Sequence, residues 1–315
     1  MLKAYSYNEG DTDVSHDQDD GFMERQRKLA TQFLKEEHVG VETRVCPSCG
    51  EQRSGFFAVI SSIEYRSCER CQSIFASVSK DTAARYRAYK PLIEFKQAKD
   101  FQENAQRSRR GSWEDLLRWI QFRCARFLGY KEDLSVVDID NIYDDLSNLI
   151  KDSDLCDRYT RTQDLPTDHM GADVALYIDH LREDSDPAKS LTAVRNALRP
   201  GGLLFLTARL GTGFDILTLK GSIHNVFPCE HLFLPSAEGL MELLAALGFE
   251  VLEFFTPGNL DVEQVMRGSA DAGYKSSFIQ YLLYRNDPVL LHDFQRFLQK
   301  NGLSSHARII ARRAD

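Results

Sequence analysis

The sequence predicts an α/β fold: an incomplete doubly wound parallel sheet, preceded by a small cysteine-bearing unit and a helical segment. Three observations carry that prediction. A strand–helix–strand unit runs from Asp173 to Arg209, two Cys-x2-Cys pairs stand at residues 46–49 and 68–71, and a helical apolar stripe lies between these features.

Residues 1–20 are polar and acidic, with Asp11, Asp13, Asp17, Asp19 and Asp20, and read as a disordered tail. From Phe22 to Val39, Leu29, Phe33 and Leu34 recur at helical spacing, which predicts one helix packed on another element.

Cys46-Pro47-Ser48-Cys49 and Cys68-Glu69-Arg70-Cys71 then form a Cys-x2-Cys-x18-Cys-x2-Cys pattern. Each short turn aims two sulfurs inward, and two turns close a tetrahedron around Zn²⁺. Cys46, Cys49, Cys68 and Cys71 are therefore the expected metal ligands, with paired disulfides or a redox couple as the competing reading. Four sulfur ligands leave no open coordination position, so the zinc is expected to be structural. Ala58–Ile60 and Ile74–Ala76 are expected to pair as short strands of this ribbon.

Residues 80–130 read as helical. Ser112 with Asp115 suggests a capped helix starting near Trp113, with Leu116, Leu117, Ile120, Cys124 and Phe127 as its buried stripe and Gly129 at its end. The basic run Arg107–Arg110 reads as solvated linker. Ser135 to Asp140 follows as the first strand of the sheet. Asp173 to Ile178 is a buried parallel strand, and Pro187 to Leu198 a helix that Pro200-Gly201-Gly202 stops. Leu203 to Thr207 is the next strand. Ser236 is expected to cap a helix over 237–247, Glu250 to Phe255 to form a further strand, and Pro288 to open a helix with a core-facing apolar stripe. Arg308 to Arg312 supplies the last strand. The boundaries are thus a tail at 1–20, helix plus ribbon at 21–80, a helical linker region at 81–130, and the large α/β domain at 131–315.

Asp179-His180-Leu181, Leu198-Arg199-Pro200-Gly201-Gly202, Gly213-Phe214-Asp215, Glu230-His231-Leu232, Pro257-Gly258-Asn259-Leu260-Asp261 and Ser304-Ser305-His306 together resemble the second half of a class I S-adenosylmethionine (SAM) methyltransferase. The likeness spans roughly half of the chain. It is specific to a bacterial branch associated with sugar and surface-polysaccharide methylation, whose members often begin with a cysteine ribbon. The resemblance implies a Rossmann-like methyltransferase sheet and a sugar-type or small polar acceptor. Under it, His180, His231 and Glu230 are candidate catalytic groups, and Asp179 and His224 candidate substrate contacts. His180 reads equally well as a helix cap, and His231 as the anchor of its loop.

The chain departs from that family after the first strand. Glycines there let backbone amides approach the methionyl part of SAM. Here no glycine occurs between Gly129 and Gly171, and Asp138, Asp140, Asp144 and Asp145 crowd the turn. Asp138 and Asp140 thus mark a degenerate SAM loop, whose acids read as a solvated rim. Residues 141–172 show no convincing β run, so the nucleotide half of the sheet reads as shortened. Ordinary SAM binding is expected to be impaired or lost. The alternative is an active C- or O-methyltransferase with a rebuilt loop. If SAM chemistry is lost, a partner protein becomes the expected associate.

The net charge of −8 argues against a nucleic-acid partner, and no apolar run is long enough to span a bilayer. A cytoplasmic setting fits the cysteine usage; oligomeric state is left open.

Overall fold

The computed structural model describes residues 28–33, 45–78, 85–86, 102–129, 133–139, 144–162, 170–181, 186–227, 230–272 and 277–314. The acidic tail, most of the helix expected over 22–39, and Asp140 lie outside the described residues; 28–33 are helical, with Ala30 and Phe33 buried.

A six-stranded sheet forms the large unit. Its strands are β4 (Ser135–Ile139), β5 (Arg158–Thr162), β6 (Ala172–Tyr177), β7 (Leu198–Arg209), β9 (Phe249–Phe255) and β10 (His306–Arg313). The spatial order is β5-β4-β6-β7-β10-β9, with β10 antiparallel to both of its neighbours and the pairs β4–β5, β4–β6 and β6–β7 parallel. This is a Rossmann-like α/β sheet with a reversed penultimate strand. It corrects the sequence reading in one place: β5 is a strand, paired with β4 from Ser135–Arg158 to Ile139–Thr162. Its Arg-Tyr-Thr-Arg-Thr sequence lacks the apolar run of a central strand because it lies at the sheet edge, where one face stays partly solvated. Among the described residues no strand lies outside it.

Both faces of the sheet are covered, as parallel sheets require. On one side α1 (Gln102–Leu128) and α2 (Asp144–Lys151) pack Trp113, Leu116, Ile120, Cys124, Leu146 and Ile150 onto the sheet. On the other, α3 (Pro187–Ala197) and α5 (Ala237–Ala246) apply Leu191, Val194, Leu240 and Leu244. The strand residues alternate accordingly: Leu203 and Phe205 face α1, Leu204 and Leu206 face α3.

α1 is longer than the sequence suggests. It runs through Ser112 without a cap there and contains Arg107–Arg110, then ends before Gly129 at φ +76°. Cys124 is a core residue, its thiol pushed up to about 12 by burial. The α1 face also holds charge. Arg123, 5% exposed, donates from Nε to Glu253 of β9 at 2.6 Å, and Arg126 reaches the same carboxylate at 3.1 Å.

The remaining helices are α4 (Phe214–Leu219), α6 (Asp261–Ala272), α7 (Ser277–Arg285) and α8 (Pro288–Lys300). Asp287 caps α8 through Val289 and Leu290 N–H groups. Its apolar stripe is not all core as expected: Leu298 and Gln295 are buried, whereas Phe297 is half exposed.

The ribbon strands are β1 (Ser54–Ile60), β2 (Ile63–Cys68) and β3 (Ile74–Ala76). Here too the pairing differs from the expectation. β1 and β3 do not pair with each other; each is antiparallel to β2. β3 pairs in addition with β8 (Phe233–Leu234), which comes from the large unit. A second cluster, with Ile60, Tyr65, Ile74, Ile216, Ile223 and Val265, fills the space between the ribbon, α4 and α6.

Glu253→Ala is expected to destabilise the protein by about 3 kcal/mol, because it strands the buried Arg123 charge; urea denaturation measures the loss, and Glu250→Ala, an exposed pair with Arg312, should cost less than ~1 kcal/mol.

Candidate functional site

The four cysteines converge. Cys46 and Cys71 Sγ are 3.5 Å apart, Cys49 and Cys68 Sγ 3.6 Å, and all four sulfurs lie within 4.8 Å of one another. A tetrahedron with metal–sulfur bonds of ~2.3 Å has edges of about 3.8 Å, so this arrangement fits a single Zn²⁺. Backbone turns produce it: Gly50 N–H donates to Cys46 O at 2.9 Å, and Gln72 N–H to Cys68 O at 3.0 Å. Each turn ends in the left-handed region, at Gly50 (φ +70°) and Gln72 (φ +62°). A glutamine is disfavoured there, and its side-chain amide offsets this by donating to Cys68 O and Glu69 O. None of the four is joined in a disulfide. The Cys71 thiol is held down to about 4 by the hydrogen bond from Cys46, whose own proton is correspondingly harder to remove. A divalent cation would replace these shared protons, and with four sulfurs bound it would serve structure.

The second candidate lies at the carboxyl ends of β4 and β6, where the connections lead to opposite sides of the sheet and open a crevice. Asp138, on β4, is fully buried rather than solvated on a rim as expected. Its carboxylate accepts from the Tyr159 hydroxyl of β5 and, at 3.4 Å, from Ser147 Oγ of α2. Burial and the neighbouring Asp138 push the Tyr159 phenol well above its ordinary range.

After β6, Asp179 adopts φ +61°. Thr207 of β7 holds it there: Thr207 Oγ1 accepts from Asp179 N–H at 2.9 Å and donates to Asp179 Oδ1 at 2.8 Å. His180 follows at 6% exposure, its ring 5.6 Å from that of Tyr177.

Glu230 and His231 belong to the other sheet, in the loop before β8. His231 is buried. Its Nδ1 accepts from Phe227 N–H at 3.0 Å, and its carbonyl accepts from Tyr65 OH at 3.0 Å. In the neutral ring the proton therefore sits on Nε2, which makes His231 a donor and a loop anchor rather than a base. Glu230 accepts from Tyr86 OH at 3.3 Å. His224 is half-buried and faces α6, where a Cβ added at Gly268 would lie 3.5 Å from its ring.

The sequence reading missed a buried polar hub. Arg209, at the end of β7, donates to Asp215 at 2.8 Å and to the Asn225 side chain at 2.8 Å. Asp261 accepts from Gln295 at 2.8 Å, Ser304 Oγ at 2.6 Å and Ser305 N–H at 2.6 Å. Burial pushes the Asp215 carboxyl up to about 6, against the opposing Arg209 charge. The signal that could have found the hub is glycine: a Cβ at Gly213 would stand 2.4 Å from Ser305 Cα, and one at Gly258 2.1 Å from Ser304 Oγ.

No protein-family model matches the chain, and no curated protein matches it. Solved structures do. The cyclase SpnF is 16% identical, with 64% of this chain and 82% of that chain covered and a TM-score of 0.38. The phosphoethanolamine N-methyltransferase 2 of Haemonchus contortus, in complex with SAM, is 15% identical over 63% of this chain and 53% of that chain, with a TM-score of 0.39. An S-adenosylmethionine-dependent methyltransferase from Mesorhizobium loti is 15% identical over 62% and 98%, with a TM-score of 0.33.

Two measurements check this geometry. Elemental analysis of the purified protein is expected to find one zinc per chain, and Cys68→Ser to lose it and melt at a lower temperature. Because the folded-state carboxyl of Asp215 titrates above the unfolded value, its contribution to stability is present below pH 4 and lost as pH rises through about 6. The stability of the wild type relative to Asp215→Asn should therefore fall between pH 4 and 6, as read by chemical denaturation at each pH.

Proposed function

We propose that this chain is a methyltransferase-like protein of carbohydrate or small polar metabolite biosynthesis whose first turn does not hold SAM in the ordinary way. The observation that carries the reading is at the end of β4. Asp138 is committed to Tyr159 and Ser147, and the following Asp140-Asn141-Ile142-Tyr143 offers an acid and bulky side chains where small residues would let amides reach a ligand carboxylate. By its sequence this turn lacks the small residues of the usual cradle. The four cysteines would hold a structural Zn²⁺. On the acceptor side, His180 would take a proton from a sugar-type hydroxyl, with Asp179 beside it to orient that hydroxyl. His231, His224 and Glu230 would serve as further contacts from the other sheet and its neighbours.

One observation favours a second reading, an active SAM-dependent C- or O-methyltransferase with a rebuilt loop. β5 is present in the position of the family's second strand and ends beside β4, so half of the nucleotide side exists. If SAM chemistry is lost, the protein acts instead as the binding partner of another protein.

Isothermal calorimetry separates these. Titration with SAM and with S-adenosylhomocysteine at millimolar concentration is expected to give no heat and no thermal shift. Saturable binding at micromolar concentration would establish the second reading and overturn the first.

A further inference from the structure

The metal centre touches an element outside the ribbon. Ser236 caps α5, and the first turn of that helix lies against the cysteines. Ser236 N–H donates to Ser73 Oγ at 3.0 Å, and Ser236 Oγ donates to the carbonyl of Cys71. Ser73 Oγ lies 3.2 Å from Cys71 Sγ and 3.1 Å from Ser48 Oγ. The same Ser236 Oγ caps α5 by accepting from Gly239 N–H at 2.9 Å. Gly239 is what permits the approach: a Cβ there would stand 2.5 Å from Ser73 Oγ, 2.9 Å from Ser48 Oγ and 3.0 Å from Cys71 Sγ. All of these groups but Cys49 are buried.

We propose that Ser236 and Gly239 are positioning residues of the metal centre, and that metal occupancy in turn sets the loop carrying Glu230 and His231. The electrostatics agree. Four thiolates around Zn²⁺ carry a net charge of −2, and the amino-terminal end of a helix favours negative charge beside it. The ten-residue α5 directs that end at the cluster. The route onward is continuous. From Cys71 the chain runs through Ser73 to β3, whose Ile74 and Phe75 pair with Leu234 and Phe233. Ala76 N–H donates to Leu232 O at 2.9 Å, and Tyr65 OH holds the His231 carbonyl. A ribbon that loses its ion loses the fixed partner of β8, and with it the anchor of His231. This inference rests on the four-cysteine metal reading but not on any reaction.

The test uses the full chain. Release of zinc to a chromogenic chelator is followed for wild type, Gly239→Ala and Ser236→Ala. Release is expected to be about tenfold faster or more in Gly239→Ala, from overpacking, and about fivefold faster in Ser236→Ala, from the lost cap. Should Gly239→Ala fail to fold, Ser236→Ala decides. Hydrogen–deuterium exchange of wild type before and after metal removal reads the second half: exchange should rise in 231–240 together with 46–76, while β4 and β6 keep their protection. Wild-type release rates in the variants, or increased exchange confined to 46–76, would overturn the proposal. A wild type purified with no bound metal would instead sink the metal centre itself.

Discussion

Two short runs of backbone pair where the cysteine ribbon meets the large unit: Ile74-Phe75 of the ribbon and Phe233-Leu234, a segment of the large unit that completes the ribbon's sheet. Much of the architecture depends on this contact. The ribbon is too small to bury a core of its own, and its inner residues are instead shared out. Cys46, Cys68, Cys71 and Phe75 join the cluster on the α3–α5 face of the sheet, whereas Ile60, Tyr65 and Ile74 join the cluster against α4 and α6. Neither half closes its apolar surface alone, so ribbon and sheet are one packed body rather than modules on a tether.

That dependence also places the candidate residues. Glu230 and His231 stand in a loop that Tyr65 of the ribbon and the helical Tyr86 hold on one side and that α5 bounds on the other. Asp179 and His180 are placed by the parallel sheet, through Thr207 on the neighbouring strand. The left-handed backbone at Asp179 is the kind of conformation that persists only where surrounding contacts over-determine it. The geometry gives the two histidines different characters: His231 is locked by its Nδ1 contact, and His180 lies against an aromatic ring at the end of a central strand.

Legibility in the sequence followed the range of the physics involved. The β6–α3–β7 unit could be read because its signals are local, an apolar run and a helical repeat within forty residues, although Pro200-Gly201-Gly202, read as the stop, lies inside β7, which begins at Leu198. The cysteine cluster could be read because thiolate spacing encodes its own geometry. β5 could not, because an edge strand of Arg, Tyr and Thr shows neither the alternation nor the apolar run that marks a strand. The cap assigned to Ser112 failed for a related reason, since a serine with an acid three residues on fits the inside of a long helix as readily as its start. The Arg209–Asp215–Asp261–Ser305 hub was invisible as a unit because its members come from four separate segments and meet only in three dimensions. Even so, Gly213 and Gly258 stand in the stretches that carry the family resemblance. Part of that resemblance therefore records the packing of a buried polar junction rather than reaction chemistry.

The seam between ribbon and sheet also has a consequence for how the chain is made. Tyr65 and His231, bonded in the native protein, are 166 positions apart. A ribbon leaving the ribosome would have its thiols in place to capture a metal ion long before the strand that completes its sheet had been translated. Until then its open edge would be exposed to other chains, as unpaired edges are. Metal capture alone would leave that edge open, since the strand that covers it is Phe233-Leu234.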